Sequence, residues 1–334
     1  MIDISLIWIV IIALGIFIYV VLDGFDLGIG ILYPFFPNKS ERDVMMNTVA
    51  PVWDGNETWL VLGGAALYAA FPMVYAIVLS ALYLPIIFMV VALIFRGVAF
   101  EFRFKATRTK YIWDRAFIGG SVLAGFFQGV ILGAYIQGIK VQHGMYSGGG
   151  LDWISPFTIF TGIGVVVLYA TLGCGWLIFK TELDLQQRMY QRMPKLVITL
   201  LFIFGALSIY TSMAHPEVAE RWFRQPQLIY FSFVPILVII LTLLLIRACY
   251  KRHQLVPFLY TLALVFFAYI GFIISIWPYV IPPSITIWQA AAPLNSQLFT
   301  LIGALILIPI ILMYTGLSYW VFRDKVRIGD QGYH

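Results

Sequence analysis

Apolar runs near 20 residues recur along the whole chain, and short polar stretches separate them. A run of that length crosses the roughly 30 Å hydrocarbon core of a bilayer as a helix. The runs are continuous, without the alternation that a transmembrane barrel requires. They are apolar on every face, where a soluble helix would show one apolar stripe. The pattern predicts an all-α, polytopic membrane protein with nine spans, at about 6–34, 51–71, 74–100, 114–139, 156–179, 196–213, 228–248, 256–280 and 298–321. No stretch is polar enough for a separate soluble domain, so residues 1–334 read as one transmembrane domain. Only Pro72 sets the second span apart from the third. That span approaches ~30 Å only by starting near Pro51, a favourable first-turn residue.

Charge decides the orientation. Nine spans with the N-terminus outside put segments 35–50, 101–113, 180–195, 249–255 and 322–334 on the cytoplasmic side. These segments and the adjoining helix ends hold all but three of the 21 Lys and Arg residues; Lys140, Arg221 and Arg224 stay outside. That is the positive-inside distribution, and an eight-span reading breaks it. The C-terminus is therefore expected in the cytoplasm.

Hydrophobic residues make up 61% of the chain and charged ones 11%, with a mean hydropathy of +0.92. The net charge of +5 lies in short loops between apolar segments, which argues against nucleic acid as a partner. Cys174 and Cys249 fall in or at the end of apolar segments and support neither a disulfide framework nor a metal site. Gly148-Gly149-Gly150 is an outer turn; no Lys-Ser/Thr follows it, so it is not a phosphate loop. The outer stretch 282–297, with Pro282-Pro283 and Trp288, is expected along the membrane surface.

Ionisable residues inside a membrane are costly, and each is a functional hypothesis. Asp23 and Asp26 lie late in the first span, Asp23 roughly 26 Å along it at 1.5 Å per residue. Asp54 and Glu57 open the second span from the same inner side, and Arg96 and Glu101 mark the inner end of the third. These six groups share one depth band near the cytoplasmic face. Asp23 and Asp26 are three residues apart, as are Asp54 and Glu57, so each pair can share a helix face. Gly24, Gly28 and Gly30 let a neighbouring helix approach closely. Such a cluster can pass protons inward from the cytoplasm. It can equally serve structure alone: carboxylates suit the first turn of a helix, and Arg96 can neutralise Asp23 or Asp26.

The four histidines, His143, His215, His253 and His334, all fall outside the spans. A membrane haem usually takes a histidine ligand from a helix, so this chain alone is not expected to bind one, nor a metal. Trp53, Trp59, Trp153, Trp277 and Trp288 fit an aromatic belt at the membrane interfaces, with Trp59 the candidate for a quinone or lipid contact.

Three motifs carry a resemblance. Asp23-Gly24-Phe25-Asp26-Leu27-Gly28-Ile29-Gly30, Ala50-Pro51-Val52-Trp53-Asp54-Gly55-Asn56-Glu57-Thr58-Trp59 and Gly63-Gly64-Ala65-Ala66-Leu67-Tyr68-Ala69-Ala70-Phe71-Pro72 resemble subunit II of cytochrome bd-type quinol oxidases. Phe95-Arg96-Gly97-Val98-Ala99-Phe100-Glu101 and Pro282-Pro283-Ser284 continue it. The most specific part covers 20–105, and the compact loops are similar to those of the cyanide-insensitive branch.

The resemblance implies a haem-free, nine-helix partner of a haem-bearing subunit I in a bacterial inner-membrane oxidase. That complex takes electrons from quinol, reduces dioxygen to water, and builds a proton gradient without pumping. It implies haem b and haem d, or a further haem b, on subunit I. A bound quinone or lipids, and small single-helix accessory subunits, complete the expected company. It also implies proton-path roles for Asp54 in the WDGN motif, for Asp26 in the GFD motif, and for Glu101, with Arg96 opening the pattern that ends in Glu101. Many members have proline where this chain has Gly97, and some have aspartate in place of Glu101. The alternative from a different class is a proton-coupled secondary transporter. Transporters commonly show internal repeats and midplane charges; here no repeat is visible and the acids lie near one face.

Overall fold

The computed structural model describes residues 3–329. Helix α1 (Ile4–Leu32) starts at Asp3, whose side chain accepts from the Ser5 N–H at 3.0 Å, and ends in a 3-10 turn at Tyr33–Phe35. The short α2 (Lys39–Asn47) follows, capped by the Asn38 side chain. Next come α3 (Trp53–Ala70) and α4 (Pro72–Arg103). Phe71 between them leaves helical geometry (φ −138°, ψ 63°), and Pro72 begins the next helix, where its missing N–H costs nothing. Pro85 lies inside α4, and the turn before it opens at Leu82 (φ −121°, ψ 20°), as expected when a proline ring crowds the preceding turn.

Helix α5 (Lys110–Gln137) leads into a small hairpin, β1 (Val141–Gln142) with β2 (Met145–Tyr146). Helix α6 (Pro156–Lys180) opens on a reciprocal cap between Ser155 and Thr158. The second half holds α7 (Leu183–Ala214), α8 (Pro216–Phe223), α9 (Gln227–Phe231), α10 (Phe233–Tyr250) and α11 (Val256–Ile276). A second hairpin, β3 (Tyr279–Ile281) with β4 (Ile285–Thr286), leads to α12 (Ile287–Ala290) and α13 (Leu294–Val321).

Among the described residues, eight segments are long and apolar enough to cross a membrane, with α9 and α10 counted as one. Helix α3 stands outside that set. Its 18 residues reach about 27 Å, but Asp54, Asn56 and Glu57 make its first turns polar. The protein is an all-α, multi-pass membrane protein.

Two expected loops are helical instead. Segment 35–50 contains α2, and segment 180–195 is mostly the start of α7, which begins 13 residues before the expected 196. Leu185, Met189 and Met193 explain the second difference. They recur every four residues and are buried, so a polar-faced helix continues beyond the apolar run.

The packing centre is α1 against α3, α5 and α6, with α4 packed on α5. Gly28 of α1 and Gly173 of α6 meet backbone to backbone; a methyl at Gly28 would collide with the Tyr169 carbonyl. This is the close approach that the glycines of the first motif predict. Phe25 stacks on Trp176 (4.3 Å between centroids) in the same layer. By contrast, only 6% of the most apolar part of α13 is buried, so that helix presents almost its whole surface outward.

Candidate functional site

Four elements build one buried polar cluster. Helix α1 brings Asp23 and Asp26, both 0% exposed, and α4 brings Arg96, also 0% exposed. Helix α3 brings Asn56 and Glu57, and α13 brings Tyr319. The Arg96 guanidinium forks: Nη1 donates to Asp23 Oδ1 at 2.5 Å, and Nη2 donates to Glu57 Oε1. Asn56 Nδ2 donates to Asp26 Oδ2 at 2.8 Å, and Tyr319 Oη donates to Asn56 Oδ1 at 2.9 Å. Asp26 thus meets an amide where Asp23 meets a cation. The Glu57 side chain is 28% exposed, which makes it the cluster's opening to the surface.

The second motif shapes this cluster locally. Trp53 opens α3, stacks on Phe100 of α4 (5.0 Å) and lies beside the Arg96 guanidinium (5.8 Å). Gly97 sits under that indole, where a side chain would press on the ring at 3.2 Å. Behind Arg96, Gly120 of α5 touches the α4 backbone so closely that a methyl there would meet the Ala92 carbonyl at 2.6 Å. The guanidinium is therefore flanked by the indole, while Gly120 fixes the α4 backbone that carries it. One guanidinium faces three carboxylates, a deficit of positive charge in a largely buried site.

The other candidates from the sequence lie apart. Asp54 is exposed on α3, one turn before Glu57. Glu101 is exposed and pairs with Lys105 at 3.7 Å, away from Arg96. Trp59 is 1% exposed and lies inside the chain, so a quinone or lipid would reach it only from within. Its indole N–H joins Asp23 Oδ2, Asp26 Oδ1 and Arg96 Nε as buried atoms with no hydrogen-bond partner in the protein; ordered water normally serves such atoms.

Two groups of residues escaped the sequence reading. The first is an uncharged chain toward the outer side of the cluster. Tyr169 of α6 donates to Gln128 Oε1 of α5, Gln128 Nε2 donates to Tyr19 Oη of α1 at 2.7 Å, and Tyr19 lies one helical turn before Asp23 on α1. The second lies where α1 ends and α5 begins, around α2. Buried Arg103 binds Asp114 Oδ1 at 2.5 Å and Asp43 Oδ1 at 2.6 Å; Arg42 also holds Asp114 (3.0 Å), and Lys110 holds Asp43 (3.0 Å). Tyr33 lies between the guanidiniums of Arg42 and Arg103, at 5.1 and 5.5 Å. Its basic residues counted in the sequence only as positive-inside charge, and its acids were not singled out.

The residues present do not suit a haem. His143 sits in the β1–β2 turn, His215 between α7 and α8, and His253 before α11, so no described histidine lies within a span; His334 lies outside the described residues. Among the described residues, no three of His, Cys, Asp and Glu come together as a metal site.

Comparisons with known proteins agree with one another. The sequence model of the cytochrome bd terminal oxidase subunit II family matches residues 4–322. The cytochrome bd ubiquinol oxidase subunit 2 of Bacillus subtilis (strain 168) is 31% identical over 334 residues, covering 96% of both chains. The cytochrome bd-I ubiquinol oxidase subunit 2 of Escherichia coli (strain K12) is 30% identical over 350 residues, covering 93% of this chain and 92% of that one. Among solved structures, a chain of the bd oxidase from Geobacillus thermodenitrificans matches with a TM-score of 0.77 at 16% identity, over 95% of this chain and 99% of that one. That likeness concerns the fold.

Proposed function

Because the chain belongs to the cytochrome bd terminal oxidase subunit II family, we propose that it is the haem-free member of its complex and carries the cytoplasmic start of the proton route. Membership already makes it a subunit of an oxidoreductase complex in the bacterial inner membrane, with a subunit I partner, and sets the transporter alternative aside. In this reading, subunit I holds haem b and haem d, or a further haem b, and supplies the oxygen chemistry. Quinol is oxidised to quinone, dioxygen is reduced to water, and the protons consumed come from the cytoplasm. The complex is electrogenic without pumping. A bound quinone, lipids and small single-helix subunits belong to the same proposal. So does the topology: nine spans including α3, the N-terminus outside and the C-terminus inside.

The observation that carries the proton route is the single Arg96 shared by Asp23 and Glu57, with Asp26 one step away through Asn56. Burial grades along it, from exposed Asp54 through half-buried Glu57 to Asp23 and Asp26. Carboxylates so arranged can take protons at the surface and hold them inside. Exposed Glu101 is a further collecting group in this reading.

The test is oxygen consumption by the purified complex with quinol as donor. Glu57→Gln should slow turnover roughly tenfold or more, a barrier increase of about 1.4 kcal/mol, with haem content unchanged. Asp54→Asn should slow it by a smaller factor, also without loss of assembly. Wild-type rates in both variants would return these acids to a structural role.

A further inference from the structure

Lys180 is the last residue of α6 and is only 2% exposed. Its ammonium donates to main chain: to the carbonyl oxygen of Phe322 at 2.6 Å and to that of Asp324. The Trp176 ring lies 5.7 Å from the same nitrogen. A buried ammonium is costly unless its hydrogens are taken up, and here two carbonyls and an aromatic face receive it. Phe322 caps the C-terminus of α13, so the charge also sits where a helix favours a cation.

The contact is returned. The Val326 N–H donates to the Lys180 carbonyl at 2.9 Å, and Lys325 Nζ donates to the Thr181 carbonyl at 3.2 Å. Carbonyls at the end of an α-helix have no partner within it, and the chain after α13 supplies one for α6. Arg327 closes this strap on Glu182, Nε to Oε2 at 3.1 Å and Nη2 to Oε1 at 3.4 Å. Residues 180–182 and 322–327 thus cap the ends of α13 and α6 reciprocally.

The two helices are opposites. The most apolar part of α6 is 67% buried, the largest share among the described spans, and that of α13 has the smallest share. The strap therefore ties the least-held helix to the most firmly held one. Tyr319 lies in the last turn of α13, the part of a helix that frays first. Its hydroxyl reaches Asn56 Oδ1 only while that turn is formed. Trp176 joins the two groups directly, because it also meets the Tyr319 ring edge-on at 5.9 Å.

We infer that Lys180 is a positioning residue, which fixes the last turn of α13 through the strap 322–327 and so holds the Tyr319 hydroxyl on Asn56 of the buried polar cluster. Lys180 acts through Tyr319, and its part in turnover rests on the cluster being the proton route.

The test uses the intact complex. Lys180→Met keeps a long side chain and removes the charge and its donors. Backbone hydrogen exchange over residues 317–326, read by mass spectrometry, should rise roughly fivefold or more, the scale of losing a cation at a helix C-terminus. In quinol oxidation, Lys180→Met and Tyr319→Phe should each lower kcat by the same factor, roughly fivefold for one lost hydrogen bond, with KM unchanged. The double variant should be no slower than either single one, because both act through one hydroxyl. If Lys180→Met does not assemble, Val326→Pro removes the returning N–H and is read in its place. Three results would overturn the assignment: wild-type exchange in Lys180→Met, a normal kcat there beside a slow Tyr319→Phe, or a double variant whose losses multiply. Raised exchange in Lys180→Met with wild-type kcat in both single variants would keep the reciprocal cap and overturn instead the reading of the cluster as the proton route.

Discussion

The two ionic clusters built on α4 contain the same chemical groups in different proportions. Around α2, Arg42, Arg103 and Lys110 face Asp43 and Asp114, and each acid has two cationic partners. Deeper in, three acids share Arg96. The α2 cluster ties α2, α4 and α5 together near water, and its charges match or exceed one another. The deep cluster is short of positive charge and reaches the surface only through half-buried Glu57. A matched cluster stabilises geometry; a mismatched one has a reason to exchange protons. The difference explains why burial and pairing alone do not mark a functional acid.

The largest expected effect breaks the deep cluster at its centre. Arg96→Gln leaves Asp23 and Glu57 without their cation, and breaking a buried pair in this way costs about 3–5 kcal/mol. The yield of assembled, haem-containing complex should fall sharply; normal yield and turnover would show that the cluster tolerates a further charge deficit. Intermediate in size is the apolar replacement of the core of the α2 cluster. Arg103→Met combined with Asp114→Leu should change stability by only about 1 kcal/mol, since well-packed apolar residues often replace a buried pair at little cost. Quinol oxidation should remain at the wild-type rate, and a large loss would erase the distinction between the clusters.

The smallest effect lies in the segment between α5 and α6. Lys140 holds Asp152 at 3.0 Å. That hydrogen bond keeps the Asp152 carboxyl below its usual range, and chiefly the same bond raises Lys140. A lowered carboxylate contributes above its ordinary value and is lost as pH falls through the lowered one. A raised lysine contributes below its ordinary value and is lost as pH rises through the raised one. The pair is therefore intact throughout the neutral range. Lys140→Met should leave turnover unchanged and alter only local hydrogen exchange around β1 and β2, most visibly near neutral pH and least in acid.

Much of this was legible in the chain because a bilayer imposes lengths. The apolar runs marked the long helices, and the depth band of Asp23, Glu57 and Arg96 anticipated their pairing. Helix rotation was not legible. Helices that are apolar on every face carry little information about which side turns inward, so nothing in the sequence separated exposed Asp54 from buried Asp26, or placed Trp59 inside. Gln128, Tyr19 and Tyr169 are uncharged and come from three helices, and only packing brings them into a row. The early start of α7 was obscured because its first turns are polar on one face.

Helix α13 has the least buried apolar surface of the long helices, yet its Tyr319 hydroxyl completes the partners of Asn56 beside Asp26. Ribosomal synthesis makes α1, α3 and α4 well before α13, and elements made first can pack first. The arginine and its acids can therefore meet while the last span is still unmade, but the Asn56 amide gains its tyrosine only when that span docks. The Asp26 environment is finished at the end of biogenesis, which makes it a reporter of whether the chain has closed.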